Sequence, residues 1–240
     1  MQGTIQNRDT FLQTIATRLG RDKPNIVAKT PKYMYNPQDS VMKGYTQDQL
    51  VDVLKEQCKN IHTTVVLTNR QNLPSELNGV VKGFGGGPIS AWDDARFSEY
   101  GLDNLMKVEW PKEGIDIQVW DPSKGGKANI DFAEKANIGI TISDITLAES
   151  GTVTLLSDKG KGRNVSFLPV NSIMIIPKST IVPRITQAAR ILREKVQKGE
   201  QVSSCINFIS GPSNSADIEL NLVVGVHGPV RATYIVVEDI

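Results

Sequence analysis

The stretch "TTVVLT" at 63–68 is almost wholly β-branched. A run of this kind suits a strand buried on both faces, as in a parallel sheet covered on each side. Parallel neighbours need long crossovers between them, and the chain supplies helical segments to make them. "TQDQ" at 46–49 is a capping box, in which Thr46 and Gln49 bond each other's backbone. Behind it Leu50, Val53 and Leu54 form an apolar stripe. Further on, the pattern alternates. Strands are expected at 115–120, 138–143, 171–177, 204–210 and 233–239, and helices at 129–136 and 183–199. "TLAESGTVTLLS" (146–157) reads as two strand pieces kinked at "ESG". The fold class implied is α/β, an open sheet with helices on both faces.

Before this region lies a segment of another kind. Residues 7–20 place Phe11, Leu12, Ile15 and Leu19 at helical spacing, with Gly20 as a stop. The stretch "RDKPNIVAKTPKYMYNPQDS" then holds three prolines and little periodicity, and reads as an extended arm. Residues 1–45 are therefore expected to form an N-terminal helix and arm, and 46–240 the α/β domain.

Composition narrows the functional classes. A net charge of +1 over 240 residues gives no field aimed at nucleic acid or an anionic membrane. No apolar run reaches the length of a membrane span, and the first twenty residues lack a secretory pattern, so a cytoplasmic location is expected. Cys58 and Cys205 stand far apart, and there are two histidines. That is too little for a cluster-binding framework or a His/Cys metal site. No metal and no cofactor is expected on this chain.

Three loops can carry chemistry, since ligands of open α/β sheets bind outside the carboxyl ends of the strands. "VKGFGGGPISAW" (81–92) concentrates glycines, Gly85 and Gly86 among them, whose N–H groups can face an anion. Alternatively it is a surface loop. Asp93 and Asp94 follow it. In "LAESGTVTLLSDKGKGR" (147–163), Glu149 sits at the kink, where a carboxylate can serve as base, as nucleophile or as a structural turn residue. Lys161 and Arg163 suit a carboxylate or phosphate, or a solvated basic turn. "GPSNSADIELNLVVGVHGP" (211–229) reads as a helix start capped by Ser213 or Ser215, with Asp217 and Glu219 in its first turn. His227 closes that segment and can titrate near neutrality beside a carboxylate.

Taken together, "AWDDARFSEYGL" (91–102), "GITISDITLAESGTVTLLSDKGKGRNVSFLPVNSIMIIPKSTIVP" (139–183) and "FISGPSNSADIELNLVVGVHGP" (208–229) resemble the LUD-domain proteins, in their order and at their separations. The resemblance covers about 46–240. It implies a fold like that of the sugar-phosphate isomerases and class I CoA transferases. It also implies a non-redox part in oxidising L-lactate to pyruvate, beside companions that carry the redox centres: an iron–sulfur protein and a cysteine-rich one. Glu149, Asp217 and His227 are then the catalytic candidates. Gly85, Gly86, Asp93, Asp94, Lys161, Arg163 and Ser213 are the substrate-binding ones, for a small carboxylate. Two alternatives stand beside this reading. One is a CoA-transferase or cyclo-ligase-like enzyme with Glu149 as nucleophile, although Ser150–Gly151 stands where that motif has Asn-Gly. The other is an assembly or regulatory protein. A homo-oligomer is compatible with all three.

Overall fold

The computed structural model of the chain describes residues 6–24, 34–218 and 221–239, the side chains of 217 and 218 excepted. Contacts separate two units, Met1–Pro37 and Gln38–Ile240. The first holds the expected helix, α1 (Arg8–Arg18), on which Phe11 and Ile15 are exposed, as is Leu19 at its C-cap. Much of the expected arm, residues 25–33, lies outside the described residues.

The second unit opens with α2 (Gln47–Asn60), and both bonds of the Thr46/Gln49 capping box are formed. Then come β1 (Thr63–Asn69), α3 (Leu73–Gly83), β2 (Ile89–Ala91), α4 (Arg96–Glu99), α5 (Trp110–Lys112), β3 (Ile117–Val119) and α6 (Gly125–Lys135). The chain continues through β4 (Ile138–Ile142), β5 (Ile145–Leu147), β6 (Thr152–Leu156), β7 (Asn171–Pro177), β8 (Ile181–Val182) and α7 (Ile185–Gln197). It ends with β9 (Ile206–Ser210), β10 (Asn214–Ile218), β11 (Asn221–Val224) and β12 (Arg231–Glu238). Helix α6 starts ahead of its expected position at 129. The buried Asn129 amide donates to the Asp121 and Gly125 carbonyls and so gathers in the preceding residues.

Six strands form one sheet in the order β1-β12-β7-β4-β2-β3, and every pairing in it is parallel. The apolar runs account for this. Every residue of β4 and β7 is buried, as strands covered on both faces require, whereas the run at 63–68 is corrected: it forms the edge strand β1, in which only Thr63 is buried and Leu67 is 50% exposed. The expected α/β architecture, a mainly parallel sheet flanked by helices, is what the chain adopts. A second sheet has four strands in the order β8-β5-β6-β9, and Val153 and Leu155 of β6 join the same buried core as the large sheet. The expected kink at "ESG" is the turn of its β5–β6 hairpin, which is antiparallel. Helix α7 packs on this small sheet through Ala188, Ile191 and Leu192, against Ile145 and Leu147.

One side chain ties the layers together. Tyr234, fully buried in β12, donates its hydroxyl to the Gly151 carbonyl and accepts the Gly211 N–H, both at 2.9 Å. Tyr234→Phe keeps the ring but strands the Gly211 N–H in the interior. A loss of about 1–3 kcal/mol in urea unfolding is expected.

Candidate functional site

A charged cluster closes the carboxyl edge of the sheet. The register sets Ala91 of β2 beside Ile140 of β4, so the residues just beyond these strands meet at one edge. Asp94 and Arg96 come from the first strand end, Asp144 from the second. Arg96 grips Asp94 with Nε at 3.0 and 3.1 Å and Nη2 at 2.6 Å. The same guanidinium reaches Asp144 Oδ1 at 3.0 Å and the Ser143 carbonyl at 3.1 Å. Lys161 Nζ lies 3.1 Å from Asp94 Oδ2 and 3.9 Å from Asp144 Oδ1. All four side chains are largely buried; Asp94 is 4% exposed.

Lys161 arrives on a braced loop. Asp158 accepts the N–H groups of Gly160 and Lys161 at 2.8 and 2.9 Å, which shapes the turn. The Trp92 indole donates to the Gly162 carbonyl at 2.9 Å, and the Asp93 N–H to the Gly160 carbonyl at 3.0 Å. The Lys161 ammonium also sits 5.7 Å from the centre of the Trp92 ring, within cation–π range.

The two aspartates have opposite electrostatics. Burial by itself raises the Asp94 carboxyl, but hydrogen bonds and charge from Arg96, with Lys161, bring it down to about 2. Burial also acts first on Asp144, and there it wins. Asp144 is raised despite Arg96, the Leu156 N–H at 2.8 Å and Lys161. Asp144 opens onto a cleft of about 870 Å³, whose other walls include Lys159, Lys161, Lys195 and the segment Gln201–Cys205.

The expected site residues divide into groups. Asp94 and Lys161 meet in the cluster. Asp93 is exposed and lines a neighbouring cleft of about 550 Å³ with Trp120 and Asp121. Arg163 is exposed and stacks over Phe167 at 5.3 Å. Glu149 lies at the hairpin turn, while Asp144 lies at the hairpin's open end, so the whole of β5 and Ala148 stand between them. Glu149 pairs with Arg184 Nε at 2.5 Å.

The glycine loop corrects an expectation. It follows a helix and leads into β2, so it lies at the amino edge of the sheet, opposite the cluster. The N–H groups of Gly85 and Gly86 are engaged by the Lys82 and Val81 carbonyls. Their φ of 91° and 80° lets the chain turn back on the end of α3. They therefore close a helix and do not face an anion.

The segment 211–229 is corrected as well. Among its described residues no helix starts; Asn214–Ile218 is a strand, paired antiparallel with Asn221–Val224. The Ser213 N–H bonds the Pro229 carbonyl and the Gly225 N–H bonds the Ser213 carbonyl, each at 2.8 Å. These bonds draw the two ends of the segment together and commit the chain to a ribbon. The backbone of Ser213 is thus a ribbon anchor, and His227 is exposed. The side chain of Asp217 and all of Glu219 lie outside the described residues. Gly211 and the "ESG" turn meet at the Tyr234 hydroxyl.

Arg96 and Asp144 are central to the cluster and were not among the expected site residues. Both lie inside the family-like segments quoted above, directly beyond a strand, and that position was the available signal.

The fold defines an α/β protein with a charged cluster at the carboxyl edge of a parallel sheet and a cleft beside it. A crystal structure of a DUF162 family protein from Deinococcus radiodurans shares this fold, with a TM-score of 0.55 and 15% identity, over 80% of this chain and 99% of that one. The family model of the LUD domain matches residues 51–237, and the chain belongs to that family. Among its relatives are proteins named Lactate utilization protein C. That of Geobacillus sp. (strain WCH70) is 60% identical, with 99% of this chain and 98% of the relative covered. That of Bacillus subtilis (strain 168) is 52% identical, with 99% of each covered. Among the described residues, no helix is long and apolar enough to cross a membrane.

Proposed function

We propose that the chain is a non-redox component of a system that oxidises L-lactate to pyruvate, acting with iron–sulfur and cysteine-rich partner proteins. The observation that carries this is identity of 52–60% along essentially the whole chain to proteins named for lactate utilization. Removing two electrons from lactate needs an acceptor, and the reading assigns it to the partners. Supporting this, an iron–sulfur cluster asks for about four thiolates, and the chain has two cysteines. Cys58 is fully buried, its thiol pushed up to about 12. Purifying a tagged copy of the full chain from lactate-grown cells, with iron analysis of each component, tests the assignment. Iron is expected to follow co-purifying partners. Iron bound to this chain after the partners are stripped away would contradict it.

A further inference from the structure

We propose that the cleft at Asp144 binds a small 2-hydroxycarboxylate, its hydroxyl donating to Asp144 and its carboxylate held by Lys159 and Lys195. The proposal rests on the lactate reading for the class of ligand, and on the cleft for where and how it sits.

The cleft adjoins the carboxyl end of one parallel strand, β4, through Asp144, and the rest of its wall comes from the turn after β6, from α7 and from the segment before β9. Its charged groups differ in what they are free to do. Lys161 is held by Asp94, and Asp158 by two backbone N–H groups. Lys159 is exposed, with no carboxylate within 4.0 Å among the described residues. Among the described residues Lys195 pairs with the solvent-facing Glu200 alone, at 3.0 Å, and such a pair yields readily to a better partner. Two ammonium groups lining the same cleft are therefore without a strong partner.

Asp144 supplies the selectivity. Arg96 and the Leu156 N–H each hold one of its oxygens, and the residue lines the cleft. An ionised carboxylate only accepts hydrogen bonds. A ligand that presents a hydroxyl beside its own carboxylate gains there. One that presents only a methylene leaves a partly buried charge without that bond. Arg96 is the positioning residue, since it acts through Asp144.

The test titrates the purified full chain with sodium L-lactate by calorimetry or NMR, at constant ionic strength. Propionate, of the same charge but lacking the hydroxyl, is titrated in parallel. Saturable L-lactate binding is expected, with propionate weaker by about tenfold or more. The exposed pair Lys159→Ala/Lys195→Ala is expected to weaken both ligands alike, and Asp144→Asn to narrow the gap between them. Equal binding of the two ligands, or a signal that never saturates, overturns the proposal. If Asp144→Asn does not fold, the comparison on the unaltered protein still decides. Growth separates the two readings. If the gene is needed for growth on L-lactate but the protein binds no lactate, the site fails and the role stands. If the gene is dispensable, the role fails whatever the protein binds.

Discussion

Replacing Asp94 with alanine is expected to cost the fold about 3–5 kcal/mol, the range for removing one partner of a buried ion pair. The carboxylate is 4% exposed, holds Arg96 through three contacts, and shares an oxygen with Lys161. Without it two buried cations face a single aspartate, Asp144, whose own ionised form burial already disfavours. Acid carries the same information. The folded Asp94 carboxyl lies near 2, below its ordinary 3.8. Its contribution is therefore complete above about pH 4 and is lost as pH falls toward 2, about 2 kcal/mol in all. Asp144 has the opposite sign. Its folded value is raised, so its ionised form costs stability at neutral pH, and that cost disappears on protonation. Urea unfolding between pH 7 and pH 2.5, for the unaltered chain and Asp94→Asn, measures both. The variant is expected to lose the steep acid limb.

Gly139→Ala is expected to be the more damaging change, with soluble protein lost or stability reduced by more than about 3 kcal/mol. Gly139 lies in β4, at the centre of the sheet. An added Cβ would stand 2.0 Å from the Val165 carbonyl oxygen and 3.0 Å from Pro169 Cγ. The first obstacle is backbone, so no rotamer change relieves it. Gly79→Ala is the matched control. It lies in α3 with nothing within 4 Å of the new methyl, and helix propensity favours alanine there by about 1 kcal/mol. Thermal melts of the two variants should move in opposite directions.

Local signals made the elements legible, while the site needed pairings between distant strands. The strand at 171–177 and the capping box at Thr46 were readable because β-branched runs and reciprocal caps act over a few residues. The ribbon at 214–224 was not. Alternating polar and apolar residues fit a strand, yet hydroxyls followed by acidic residues also fit a helix start. The choice falls to the Ser213–Pro229 and Gly225–Ser213 bonds, which no local pattern announces. The glycine loop misled for a related reason. Leu73, Leu77 and Val81 are buried at helical spacing and make "LPSELNGVVKG" a helix, which puts the glycines at its end. Within the cluster, Asp94 and Lys161 were readable as charged residues of family-like loops. Arg96 and Asp144 lie 48 residues apart in sequence. Only the β2–β4 register joins them.

The central claim is the part in L-lactate oxidation, and growth tests it most directly. A strain lacking this gene is expected to grow normally on glucose, to fail on L-lactate as sole carbon source, and to recover when the gene is restored. Undiminished growth of the deletion strain on L-lactate would contradict the account.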